Sequence, residues 1–401
     1  MEFGSKRRRL WLIAAPLLLL GVAAAVTLAH PAPASAVPYI PRADEEVLET
    51  LPGPVANAWL RTPAEAAATA NLDVTTAVAL ARAELTLYQQ SADPRYLGRA
   101  EAALGSFWDE PAPPEPVLVL RARIRQSNHE FIPALSDLDR ALTLSPNDGQ
   151  ALLDRASIRT VLGRYDSARD DCRALEPLAA PLYVVVCRAS VAGATGAAAS
   201  GYAELSRAIE SPRLEIEDKC WAESLLGELS SRLGQSAQGE AHFRSVLEAC
   251  PSDSYARGAL ADVLLDLDRN AEVVALLADQ IRQDAQLLRL TIAERRSHAP
   301  GFDAHFKDLS QRFEEARLRG SSVHRREEAR FELELRDTPG VALSLALENF
   351  AVQREVADVR IALESALAAK QPARAHEVIA FAKSSGLEDP HVRQLIASLS
   401  R

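Results

Sequence analysis

VLVLRARIRQSNHEFIPALSDLDRALTLSP (Val117–Pro146) and ALLDRASIRTVLGRYDSARDDCRALEPLAA (Ala151–Ala180) superpose without a gap at an offset of 34 residues. Ala122 then meets Ala156, Ala134 meets Ala168, and Phe131 meets Tyr165. A fixed interval of this size is the mark of a solenoid built from paired helices. Two antiparallel helices come close only where their side chains are small, and an aromatic fills the gap beside that contact. Alanine is abundant and β-branched runs are scarce along the chain, which favours helix throughout.

The pattern resembles the tetratricopeptide repeat, whose unit has small residues at positions 8, 20 and 27, an aromatic at 17, apolar residues at 4, 7 and 24, and proline at 32. The first unit matches with Leu118, Ala122, Phe131, Ala134, Leu138, Ala141 and Pro146, and departs at Arg121 in position 7. The second matches with Leu152, Ala156, Tyr165, Ala168 and Cys172, ends its first helix at Gly163, and departs at Leu175 in position 27. The resemblance implies an all-α fold, a right-handed α-α superhelix of about eight helix pairs.

Outward from this core the register continues. Helical spacing begins near Val55, and a degenerate unit with Ala77, Leu80, Leu97 and Ala100 precedes the break at WDEPAPPEP (Trp108–Pro116). A third unit starts near Leu182, with Ala189 in position 8 and a soft turn over Gly193–Gly201. After a short insertion at Ser211–Lys219, Leu226-Gly227 and Leu260-Ala261 open two more units 34 residues apart. The pattern blurs between Asp284 and Gly320, where HAPGFDAHF (His298–Phe306) reads as a long loop. It returns with Pro339 and Pro372, each suited to the first turn of a helix. Pro390–Arg401 reads as the helix that caps the open end of the array. The solenoid is expected over residues 55–401, most regular at 115–181 and 220–277.

The first 54 residues read differently. Met1–Ser5 looks like a cloning scar. Lys6–Arg9 precedes twenty uncharged residues, Leu10–Ala29, and then Ala34-Ser35-Ala36. This is either a secretory signal peptide (residues 1–36) cut before Val37, or an uncleaved membrane anchor at residues 10–29. Both leave the basic end in the cytoplasm and place the rest in the periplasm or another extracytoplasmic compartment. Residues 37–54, with four prolines, form a linker.

On the repeat register, Cys220 and Cys250 fall at positions 1 and 31 of one unit, and Cys172 and Cys187 on helices that pack together. Disulfides Cys172–Cys187 and Cys220–Cys250 are expected, against the alternative of four buried free thiols. The CxxC spacing of zinc and redox sites is absent.

The chain carries net charge −10, which argues against nucleic acid as a partner. No GxSxG, HExxH, P-loop or GxGxxG occurs, so an enzyme has no support and no cofactor is expected. His298, Asp303 and His305 offer a weak metal trio, and a small-ligand or metal-binding accessory role through 298–305 is the alternative reading, beside a regulatory subunit of a membrane complex. Arg317, Arg319, His324–Arg326 and Arg330 form a basic cluster that interleaved glutamates neutralise, so it reads as a solvated face. By the resemblance, function lies in the concave groove. There the first unit contributes Arg123 and Gln126, the second Gln150 and Ser157. Later units contribute Trp221, Glu228 and Arg232, then Tyr255 and Asp262. The expected partner is a protein or peptide of a membrane-associated complex, with Trp221 and Tyr255 as anchors and packing between units as the competing role. The chain then reads as a non-catalytic interaction scaffold.

Overall fold

A computed structural model describes residues 72–91, 93–211, 213–319 and 324–400. The leader, the anchor at 10–29, the linker at 37–54 and the start of the solenoid before Leu72 lie outside the described residues. No helix among the described residues is long and apolar enough to cross a membrane.

The described residues form nine antiparallel helix pairs and a final single helix, with no strand. The pairs are α1 Val74–Ser91 with α2 Arg95–Leu104, α3 Glu115–Ser127 with α4 Phe131–Leu144, and α5 Gly149–Val161 with α6 Tyr165–Leu175. Next come α7 Pro181–Ala194 with α8 Ala198–Ala208, α9 Ile216–Arg232 with α10 Ser236–Ala249, and α11 Ser254–Asp266 with α12 Asn270–Leu277. The last are α13 Asp284–Ser297 with α14 Phe302–Leu318, α15 Arg325–Glu334 with α16 Pro339–Val352, and α17 Val356–Ala368 with α18 His376–Ser385, before α19 Pro390–Leu399.

Local chemistry sets the ends. Asp148, Asp253 and Asp389 each accept a hydrogen bond from the backbone N–H three residues on and so cap α5, α11 and α19. Glu355 and Asp358 form a capping box on α17. Within eight successive pairs the turn carries one residue with positive φ: His129, Gly163, Gly196, Gly234, Asp268, His298, Asp337 and Lys370. These residues are the clearest backbone record of the repeat.

Small residues do what the pattern requires. Ala122, Ala134, Ala156 and Ala168 are almost fully buried. A Cβ on Gly227 would lie 2.7 Å from the Phe243 ring, and one on Gly239 would lie 3.0 Å from the Gly227 carbonyl oxygen, so α9 and α10 touch through their backbones. The core runs along the array as successive apolar clusters, as stacked hairpins demand.

Both expected disulfides are present. Cys172–Cys187 joins α6 to α7 of the next unit, and Cys220–Cys250 joins the start of α9 to the end of α10, with Cα separations of 5.7 and 6.6 Å.

Four expectations change. Where the pattern blurs, Asp284–Ser297 and Phe302–Leu318 form a regular helix pair, and His298–Phe306 is a tight turn followed by helix. His298 takes the left-handed conformation, Ala299 N–H bonds back to the Glu294 carbonyl, and α14 begins at Phe302. The Pro300-Gly301 pair suggested a loop where it serves a helix end. Arg121 is a built feature of the unit: its buried guanidinium makes a two-point ion pair with Asp137 at 2.9 and 2.7 Å, and Arg125 adds a third contact at 2.6 Å. Thirty-four residues on, Arg155 and Arg159 repeat the arrangement with Asp171, and Arg188 pairs with Glu204 in the third unit. In the basic cluster, Arg326 and Arg330 reach carboxylates of other units, Glu355 at 2.9 Å and Asp262 at 2.6 Å, so that surface is not simply solvated. Finally, α19 does not only cover an open end. Its start packs against the turns of earlier units: Pro390 lies beside Gly234, His391 beside Asp266, and Glu388 accepts from Ala198 N–H.

Candidate functional site

The expected partner-binding residues all lie on the first helices of their pairs, and they fall in two groups. In the first, Arg123 and Gln126 line a polar cavity of about 130 Å³ together with Tyr88, Ser127 and Asp154. Gln150 donates to Asp154 at 2.8 Å, while Arg123 approaches the same carboxylate only to 3.8 Å. Burial pushes the Asp154 carboxyl up to about 6, and the loose Arg123 contact does not offset it. Its Oδ2 atom is enclosed without a hydrogen-bond partner. Ser157 is exposed on the next turn of α5 and touches neither group.

The second group is more tightly organised. The Tyr255 hydroxyl donates to Glu228 at 2.5 Å, and Arg232 holds the other oxygen of that carboxylate at 3.0 Å. Burial raises the Glu228 carboxyl above its usual range, and the charge of Glu355 adds to the rise against the pull of Arg232 and the Tyr255 hydroxyl. Asp262 behaves oppositely. Burial alone would raise it, but Arg289 and Arg330, both at 2.6 Å, outweigh that and hold it well below the ordinary carboxylate range. Trp221 stands at the edge of this group against the Tyr183 ring, with centroids 5.9 Å apart.

Trp221 and Tyr255 remain 40% and 58% exposed, unusual for large aromatics inside a helical array. Together with Tyr183, whose hydroxyl donates to Asp218 at 2.8 Å, they occupy the same position of three consecutive first helices. Carboxylates on the first helices are also covered by later units. Arg330 covers Asp262, and the carboxylate of Asp266 receives Arg360 at two points, 2.6 and 2.7 Å.

The other candidates dissolve. His305 Nδ1 lies 2.9 Å from buried Glu294, and His298 and Asp303 are exposed. No group of three or more metal-donor side chains comes together among the described residues.

The resident ion pairs escaped the sequence reading. Their signal was present at 34-residue spacing, as Arg121/Arg155, Arg125/Arg159 and Asp137/Asp171, but charged residues in a helical pattern are usually read as surface.

No family model and no curated protein matches this chain. Among solved structures, it is similar to the TPR domain of P58(IPK), with 15% identity over 82% of this chain and 98% of that one and a TM-score of 0.25. It is similar to a tetratricopeptide repeat protein of Parabacteroides merdae, with 17% identity over 80% and 100% and a TM-score of 0.25. Yeast Tom70 shows 10% identity over 81% and 88%, with a TM-score of 0.28. The repeat assignment itself rests on the 34-residue register and the run of left-handed turns.

Proposed function

We propose that the chain is a non-catalytic scaffold on the extracytoplasmic side of a membrane, which holds a protein or peptide partner on its inner face around Trp221 and Tyr255. The observation that carries this reading is the exposure of those two rings beside the polar set Glu228–Arg232. A ring that contributes large apolar area at low entropic cost is the usual anchor of an interface. Two disulfides support an oxidising compartment, in keeping with the basic-then-apolar leader. Arg123, Gln126 and Gln150, at the polar cavity, would extend the same surface toward the N-terminal units.

The test is site-specific photo-crosslinking in native membranes, with the crosslinker placed at Trp221 or Tyr255 and, as a control, at Leu318, which is 82% exposed on α14. A discrete protein adduct from the first two positions and none from Leu318 is expected. No adduct, or the same adduct from all three, overturns the proposal.

A further inference from the structure

The turns of the early units meet the C-terminal helices along a seam. Glycine at a left-handed turn is commonly explained by its φ. Here that explanation is insufficient, because His129, Asp268, His298, Asp337 and Lys370 hold the same φ without glycine. What distinguishes Gly163, Gly196 and Gly234 is close approach. A Cβ at these positions would lie 2.8 Å from the Phe381 ring, 2.8 Å from the Gly386 carbonyl oxygen and 3.1 Å from Pro390. The seam is therefore written into the sequence.

At its centre lies Gln353–Glu355, between α16 and α17. Gln353 and Glu355 are extended, with φ/ψ of −144/151° and −74/166°. Arg354 N–H donates to the Val161 carbonyl at 2.8 Å. Its guanidinium lies over the Phe350 and Phe381 rings at 5.2 and 5.4 Å, and Phe381 in turn meets Tyr165. A three-residue segment between helices, extended at Gln353 and Glu355 and fixed at Arg354 by a backbone hydrogen bond and a clamped side chain, sits as a bound peptide segment would. The helices around it share one core with α15, built from Ala329, Leu343, Phe350, Val359, Leu363 and Val378. Beside the Phe381 and Pro390 contacts, the seam carries polar ones: Arg360 and His391 with Asp266, and Glu388 with Ala198 N–H.

We infer that Gln353–Glu355 with α17–α19 act as an internal latch on the turn edge of the earlier units, in the place of a partner segment, so that partner binding and release of residues 353–399 are coupled. This rests on the scaffold reading above. A partner that needs the released state binds more weakly in proportion to the fraction of molecules closed. Ion pairs that are partly exposed weaken with salt, while the apolar core of the C-terminal helices does not.

The test is hydrogen exchange by mass spectrometry on the full chain without partner, comparing 50 and 500 mM NaCl (on the order of a threefold change in Debye length), with the variants Asp266→Asn and Gly196→Val. Exchange over 353–358 and 376–399 is expected to rise at least about threefold with salt or in D266N, and about tenfold in G196V, while 115–175 stays unchanged and helix content is kept. Unchanged exchange over 353–399 in both D266N and high salt overturns the inference, as does loss of protection that spreads equally to 115–175. Crosslinking at Tyr255 separates the two proposals. A yield that rises in D266N supports coupling. A yield that stays constant while 353–399 opens overturns coupling and leaves the scaffold reading intact.

Discussion

Replacing Asp137 by alanine should be the most damaging single change in the regular part of the array. Its carboxylate is 3% exposed and receives Arg121 at two points and Arg125 at one. Arg121 is 6% exposed and has one other partner, the Trp108 carbonyl. Asp137→Ala strands that guanidinium in the core at a cost of about 3–5 kcal/mol. Arg125, 22% exposed, can still reach water and the Trp108 ring. The double change Arg121→Leu/Asp137→Leu removes both charges and restores an apolar residue where the repeat pattern wants one. It should lie within about 1 kcal/mol of the parent or exceed it by about 1–4 kcal/mol, as buried pairs replaced by packed apolar groups often do. Asp171→Ala is the internal control. Its partners Arg155 and Arg159 are 17% and 20% exposed and Arg155 keeps Asp139, so the loss should be smaller, about 1–3 kcal/mol. Urea unfolding followed by circular dichroism gives all three, read as midpoint shifts at unchanged slope. If the double variant is as unstable as Asp137→Ala, the pair contributes through its own attraction and the reasoning fails.

Asp154→Asn should stabilise the chain increasingly as pH rises from 3.8, with the full gain above about pH 6. The folded carboxyl titrates at about 6 against an ordinary 3.8, so the folded state holds its proton longer, and stability from this group is lost as pH rises through that window. The gain is at most about 3 kcal/mol; thermal midpoints at pH 4.5 and 8 check it, and an equal gain at both refutes it. Reduction of the disulfides should lower the midpoint, with loops of 15 and 30 residues contributing about 3 and about 3.6 kcal/mol by chain entropy; Cys→Ser pairs measured separately should follow that order. Lys370→Gly should raise stability by about 0.5–1 kcal/mol, since the left-handed turn there carries a side chain. Gly163→Ala should lower it, because Phe381 occupies the space of the new Cβ; calorimetry on both variants shows whether the signs are opposite.

The fold was legible because its determinants are local. Alanines 34 apart, an aromatic beside them and a cysteine pairing that follows from the helix directions are all set within one or two units. What was not legible involves residues far apart in sequence. Nothing near Arg354 announces Val161, and nothing near Asp266 announces Arg360. The Pro300-Gly301 dipeptide misled because a helix end and a loop use the same residues. Arg121 misled because its partner lies on the other helix of the hairpin, where periodicity along one helix does not look. At the candidate site only Glu228, Arg232 and Tyr255 are bonded to one another; Trp221 packs on Tyr183, Asp262 pairs with Arg289 and Arg330, and Arg123 with Gln126 belongs to a separate cavity that Gln150 reaches through Asp154.

A stack of hairpins normally behaves as a one-dimensional chain, in which each unit answers only to its neighbours and units can be added or removed at will. The hydrogen bond from Arg354 to Val161 ends that freedom. It spans several hairpins, so inserting or deleting a single 34-residue unit between them would move Phe381, Gly386 and Pro390 away from the three glycines that receive them. The number of units between Gly163 and Phe381 is thereby fixed by geometry, and this array counts its own length.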